Sequence, residues 1–382
     1  MILLDERVRV WIGSLRGVLA GVSERVTEVE QDLGAWLDEA TRLGASDLHL
    51  AAGHPPTVRV HGQLSHLAGQ PSFDGIQTDA IMELCSADDA KTFKKRNNLD
   101  FAFDKDVGGA LRRFRANYFV SGDEFGACFR VIPETIPAFD WAGFPEGLAN
   151  RLAHFRNGLV LVAGMTGAGK TTTLAMLVDL LNQEGGYRIV TIEDPVEYRF
   201  PHATNSIVTQ REVGRDVDSF ADGLRFGLRQ DPDVILVGEV RDRETAQMAL
   251  SAAETGHLVL STLHTRDAKG AISRFSDLFP QSTQPEIRSQ LAMSLRAVVS
   301  QHLLPSADGG KQKLALEILF NSNPIAAGIR TGKLETIDTG IVTGRNDGMQ
   351  SLDESIKQLF LSGEISLETA ERFVSNPGVL RP

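Results

Sequence analysis

The chain has 382 residues, 42% of them hydrophobic and 23% charged, with a formal net charge of -11. At ~100–200 residues per domain this predicts two or three domains with sizeable cores and excludes a disordered or fibrous chain. Two cysteines, Cys85 and Cys128, give neither a disulfide framework nor a four-ligand zinc site, and the acidic balance offers no bulk attraction for nucleic acid. No apolar stretch reaches the ~18 residues of a membrane-spanning helix, and Asp5 and Glu6 interrupt the start where a signal peptide would be basic and then apolar. A soluble protein of the reducing cytosol is expected.

Residues 1–43 read as an amphipathic helical extension: Ile12, Leu15, Leu19, Val22, Val26, Val29, Leu33 and Trp36 alternate spacings of three and four. From 44 to 133 the pattern shortens to alternating runs, including Ser46–Leu50, Thr57–Val60, Asp100–Phe103, Phe114–Val120 and Ala127–Ile132. With turns at His61-Gly62 and Ser121-Gly122, these predict a small α+β domain with one antiparallel sheet and a helix over Ile76–Lys95. Pro137 and Pro145, close after Pro133, resist both helix and central strand, so 134–147 is predicted to be a linker. A core over 148–304 follows, in which Leu159–Ala163, Ile189–Ile192, Val234–Val237 and Leu258–Leu260 are continuous apolar runs between helical segments, as a buried parallel sheet requires. From about 282 the pattern is read as mostly helical, and 305–382 as a largely helical C-terminal region.

Gly164-Met165-Thr166-Gly167-Ala168-Gly169-Lys170-Thr171 fits G-x-x-x-x-G-K-[ST] at every defined position, with an apolar strand before it and a helix former after it. Glycines let successive backbone N–H groups turn inward around an anion, and the helix N-terminus adds positive potential. Gly164, Thr166, Gly167, Ala168, Gly169, Lys170, Thr171 and Thr172 are therefore the candidate ATP-binding residues. Lys170 is assigned to the β- and γ-phosphates and the Thr171 hydroxyl to Mg²⁺. Two further strands end in acids, Ile189–Asp194 and Val234–Glu239, at the sheet edge where α/β proteins bind ligands. Glu193 is assigned to the attacking water and Glu239 to the Mg²⁺ side, with the two roles exchangeable; Asp194, before Pro195, reads equally as a turn residue. His257 and His264 bracket the run Leu258–Leu260 and are candidate phosphate sensors.

These motifs occur in a set: Gly164–Thr171, Thr191–Pro195, Thr209–Glu212, Asp231–Asp242 (DPDVILVGEVRD) and Thr255–Thr265 (TGHLVLSTLHT). In that order the set resembles the type II/type IV secretion ATPase superfamily, and most of all the retraction ATPases of type IV pili. The resemblance runs from Gly44–His49 to Asp347–Asp353. It implies an α/β chain with a PAS-like N-terminal domain and a RecA-like ATPase domain, assembled as a homo-hexamer that turns an inner-membrane platform protein at the cytoplasmic face, with a second motor ATPase as a further partner. It also implies that N-domain arginines reach the nucleotide, and Arg115 and Arg130 occupy the matching strands. The chain has no room for the additional N-terminal domain and four-cysteine zinc insertion usual in extension and secretion members, which favours the retraction type.

One stretch departs from that pattern. Retraction ATPases carry an Ala-Ile-Arg-Asn-Leu-Ile-like segment before their last helices, where this chain has Pro324-Ile325-Ala326-Ala327-Gly328-Ile329-Arg330-Thr331-Gly332-Lys333, without the Arg-Asn pair. The expected function is a Mg²⁺-dependent ATPase motor for pilus retraction or a related filament or secretion system. The alternatives are a low-turnover regulatory subunit of such a motor and a DNA-translocating ATPase, the last disfavoured by the acidic balance and the lack of a basic stripe.

Overall fold

Alternating apolar and polar residues fold the first part of the chain into one antiparallel sheet. In a computed structural model, described for residues 33–60, 62–73, 81–203 and 205–381, the chain divides into two units between Glu134 and Thr135. The apolar stripe expected over 1–43 lies mostly outside the described residues; its last members, Leu33 and Trp36, are buried in a helix over residues 33–42. The expected helix over Ile76–Lys95 begins in residues that are not described, and Ala87–Arg96 is helical behind a Ser86–Asp89 capping box.

The strands of the first unit are β1 (Asp47–Leu50), β2 (Thr57–Val60), β3 (Gln63–His66), β4 (Asn98–Val107), β5 (Ala110–Ser121) and β6 (Glu124–Val131). They lie in the order β3-β2-β1-β6-β5-β4. Two-residue turns join β4 to β5 and β5 to β6, and the second has Gly122 and Asp123 at φ 60° and 66°, the backbone that matches the twist of a hairpin. Strand β3 escapes a hydrophobic reading because all four of its residues are exposed. On the buried face Tyr118 meets Phe101, Phe125 and Phe129 edge to face. The opposite face is polar: Arg115 and Arg130 sit directly across from each other on β5 and β6, Arg130 paired with Asp47 at 2.9 Å and Arg115 with Asp100 at 3.7 Å.

The second unit is built on β7 (Gly158–Ala163), β8 (Arg188–Glu193), β9 (Ile207–Glu212), β10 (Val234–Val237), β11 (Leu258–Leu263), β12 (Leu295–Leu304) and β13 (Lys313–Phe320). The order is β13-β12-β7-β11-β10-β8-β9; β13 alone among these runs antiparallel to its neighbour. Every residue of β7, β10 and β11 is buried, which is why these strands read as continuous apolar runs rather than alternating ones.

From 282 onward helices predominate, but two strands of the central sheet that the sequence reading did not include interrupt them. Strands β12 and β13 form a long hairpin there, and β13 carries the central sheet beyond residue 304. Residues 295–304 mix Leu and Val with Arg296, Ser300, Gln301 and His302, and a mostly buried strand of that pattern cannot be told from a buried helix by periodicity. Beyond β13 the chain is helical at Asn323–Thr331, Thr336–Thr343, Leu352–Leu361 and Leu367–Phe373.

Candidate nucleotide site

The loop after β7 has the backbone its glycines predict. Gly164 lies at φ 153°, and a Cβ there would stand 2.8 Å from both the Ala168 Cβ and the Gln301 carbonyl oxygen. Gly169 at φ 84° opens the helix Lys170–Glu184 without any side-chain cap on its first N–H groups. The helices Arg243–Glu254 and Ala268–Asp277 are capped by Asp242 and Asp267 instead. Uncapped N–H groups at a glycine-led helix start are donors left for an anion. Gly164→Ala is therefore expected to displace the loop and weaken ATP binding at least tenfold, with little loss of helix content; isothermal titration together with circular dichroism checks both parts.

The Lys170 amine, on a residue only 8% exposed, donates to the carbonyls of Gly164 at 2.8 Å and Met165 at 3.1 Å. Burial lowers its pKa, and the charge of Glu239 acts in the opposite direction. Thr171 stands exposed in the first helical turn, and the Thr172 hydroxyl pairs with the Tyr198 hydroxyl at 3.0 Å. Gln301 of β12 braces the loop by donating to the Ala168 carbonyl at 3.2 Å.

Parallel pairing brings the carboxyl ends of β7, β11, β10 and β8 to one edge. Glu239 follows β10, held there by a Gly238 N–H that donates to Ile192 and a Thr262 hydroxyl that donates to the Gly238 carbonyl. Its Oε2 lies 2.6 Å from Arg241 Nε and 3.4 Å from His264 Nε2. His264 Nδ1 in turn lies 3.4 Å from the Thr166 hydroxyl. Burial first, and the Lys170 charge second, hold the His264 imidazole below its ordinary pKa, so it is largely neutral at neutral pH. Cradle, histidine and carboxylate thus form one contiguous chain of contacts.

Glu193 ends β8, one strand further from the cradle than Glu239. It is 7% exposed, and its Oε1 accepts from the Thr191 hydroxyl at 2.6 Å and Gln210 Nε2 at 3.1 Å. Burial pushes its pKa up to about 7, with the nearby Glu197 and Glu212 adding to the effect and the two hydrogen bonds opposing it. Asp194 lies 3.9 Å from Arg241, which therefore stands between both strand-end acids.

Not all expected residues join this cluster. His257 sits at the amino end of β11, where its ring contacts the Ala252 carbonyl and the Thr255 hydroxyl. The six residues of β11 separate it from His264, roughly 20 Å at a strand's rise per residue. Of the two candidate phosphate sensors, only His264 stands at the sheet edge that holds the cradle, because the two ends of a strand point to opposite edges of the sheet. Arg115 and Arg130 belong to the first unit. Thr191, Gln210, Arg241, Gln301 and Tyr198 were not singled out from the sequence. The first three lie inside motifs already quoted, whereas Gln301 carries no signal because its strand reads as helix.

A glycine-led helix start, a buried lysine beneath it and acids at neighbouring strand ends define a P-loop ATPase. The chain belongs to the type II/IV secretion system protein family, whose sequence model matches residues 23–333. It is 41% identical over 348 residues to the type IV pilus retraction ATPase PilT of Pseudomonas aeruginosa, covering 91% of this chain and 99% of that one. It is also 36% identical to the type IV pilus ATPase PilU of the same organism, over 88% of this chain and 87% of the relative. Among solved structures, the pilus retraction motor PilT with bound ADP matches with a TM-score of 0.77 at 42% identity, covering 90% and 96% of the two chains.

Proposed function

We propose that the protein is an ATP-hydrolysing motor subunit that drives retraction of a type IV pilus or a related filament. The observation that carries this reading is the contact chain Thr166–His264–Glu239 beside the buried Lys170 amine, in a chain alike over nearly its whole length to a pilus retraction ATPase. By the same likeness the first unit is assigned as PAS-like and the second as RecA-like, and the working form as a homo-hexamer acting on a platform protein at the inner face of the cytoplasmic membrane. Among the described residues no helix is long and apolar enough to cross a membrane.

The site fits a magnesium nucleotide. Gly164 packs tightly against Ala168 and the Gln301 carbonyl and so sets the loop, the uncapped N–H groups at the helix start behind Gly169 are donors left for phosphate oxygens, and Thr171 and Glu239 offer the hard oxygen ligands that Mg²⁺ prefers. Lys170 would exchange its two loop carbonyls for β- and γ-phosphate oxygens, a charge-assisted gain. Mg²⁺, when bound, would neutralise charge on those phosphates. Glu239 would serve that cation while Arg241 and His264 orient its carboxylate. Glu193, with a proton affinity near neutrality, would take the proton of the attacking water. By the same likeness Arg115 and Arg130 are proposed to act on the nucleotide. On that basis Arg115→Ala should lower kcat by ~10³-fold while leaving nucleotide affinity nearly unchanged. Equal losses in both, measured by phosphate release and calorimetry, would mark a simple binding role.

The direct test is steady-state phosphate release by the purified protein with Mg²⁺ and ATP. Turnover that disappears when either is withheld supports the motor; absence of adenine nucleotide binding overturns it. A second reading, a low-turnover regulatory subunit, is favoured by the segment at 324–333. It forms the helix Asn323–Thr331, buries Ile325 and Ile329 and leaves Arg330 exposed, without the Arg-Asn pair of the retraction pattern. Tight ATP binding with negligible turnover would select that reading.

A further inference from the structure

His264 reaches the cradle from a loop, residues 264–267, that joins β11 to the helix Ala268–Asp277. Two side chains of the β12–β13 hairpin hold this loop. His302 Nε2 lies 2.8 Å from the Arg266 carbonyl oxygen, and because a carbonyl only accepts, that nitrogen carries the proton. Glu317 Oε1 accepts from the Ala268 N–H at 3.4 Å, at the first residue of the helix. Glu317 is 6% exposed, and Ser300, directly across from it on β12, is fully buried with no hydrogen-bond partner for its hydroxyl. Ser300 in turn pairs with Ala163, the residue before Gly164.

A carboxyl group buried at this depth costs several kcal/mol unless the structure uses it. Burial, helped by Asp267 and Asp338 and opposed by the Ala268 N–H and Lys269, pushes its pKa up to about 7. Lys269 is itself paired with Asp338 at 2.7 Å. The phosphate chemistry does not call on Glu317, yet its hydrogen bond fixes the far end of the loop that carries His264.

We infer that Glu317 and His302 are positioning residues, which hold the 264–268 loop so that His264 stands between Thr166 and Glu239. The inference rests on reading the site as one that hydrolyses ATP. Beside His302 on the same hairpin, Leu304 and Ala315, the residue paired with His302, pack into the core of the C-terminal helices with Ile356, Ile365 and Ala370. The hairpin therefore joins that helical core to the nucleotide loop.

The full-length protein provides the test through two readouts. The first is turnover: Glu317→Ala is expected to lower kcat about 10- to 100-fold with KM for ATP nearly unchanged, as a misplaced catalytic group does, and Glu317→Gln, which keeps an acceptor oxygen, restores most of it. The second is the rate at which diethylpyrocarbonate modifies each histidine, followed by peptide mass spectrometry. In Glu317→Ala, and in His302→Ala, where the side chain is only half-buried and folding is less at risk, His264 should be modified several-fold faster, with His154 and His257 unchanged as internal controls. The modification readout needs no turnover. A wild-type protein that hydrolyses no ATP overturns the functional reading, whereas unchanged His264 protection in both variants, or equal slowing by Glu317→Gln and Glu317→Ala, overturns this inference.

Discussion

Replacing Lys170 by alanine is expected to reduce phosphate release at least ~10²–10³-fold, the typical cost of removing one preorganised donor from a site where negative charge develops. The physical reason is burial. The amine stands in a site largely shut from water, and burial already lowers its pKa, so the positive charge is held in place at a cost that only an anion repays. Water cannot replace it there as it would on an exposed surface. Lys170 donates to the Gly164 and Met165 carbonyls, but the loop backbone also takes its shape from Gly164, Gly167 and Gly169 and from the Gln301 brace, which the variant keeps. The variant should therefore remain folded, with a thermal midpoint near that of the wild type, while turnover is lost. Near-normal hydrolysis in Lys170→Ala would remove the basis for the proposed function.

Glu193→Gln should move two quantities in opposite directions. A water-activating carboxylate is worth ~10²–10⁴ in rate, and the amide cannot accept a proton, so turnover falls by that order. The wild-type rate should rise with pH through about 7 as Glu193 ionises, and this limb should vanish in the variant. Stability behaves differently. The folded-state pKa of Glu193 is raised from 4.5 to about 7, so between those values the folded protein binds more protons than the unfolded chain, and stability is lost as pH rises through that window. At pH 8 the ionised, buried carboxylate costs roughly 3 kcal/mol. The amide carries no such charge and still accepts from Thr191 and Gln210. Thermal melts at pH 5 and pH 8 check this: the variant should gain on the wild type at pH 8, and the difference should shrink at pH 5. A variant that melts below the wild type at pH 8 would show that Glu193 is stabilised by its partners rather than strained for chemistry.

Much of the site is legible in the sequence because its physics is local. Gly164–Thr171 makes a cradle out of successive backbone conformations, so the spacing of glycines and the following helix former suffice to predict it. The strand-end acids are legible for a related reason: a fully apolar run of only four to six residues between helical segments is too short for a buried helix and reads as a buried strand, and a polar residue that ends it lies at the sheet edge. The polar strand Gln63–His66 and the mostly buried strand Leu295–Leu304 fail the same reading, the first because it has no apolar face and the second because polar residues on both of its faces leave neither a strand alternation nor an unbroken apolar run.

By itself, then, the sequence determined the class of chemistry: an anion cradle on the helix after a buried strand, acids ending neighbouring strands, and membership of a family of secretion and pilus ATPases. Only the tertiary structure decided which of these groups meet. Strand order placed Glu239 nearer the cradle than Glu193, and strand direction put His264 at the phosphate edge and His257 at the other. Hydrogen bonds from Gln301, His302 and Glu317 tied a distant hairpin to the loops of the site. The reason is the range of the interactions. Backbone conformation and burial pattern are set within a few residues along the chain, whereas the pairing of strands far apart in sequence depends on how the whole sheet assembles.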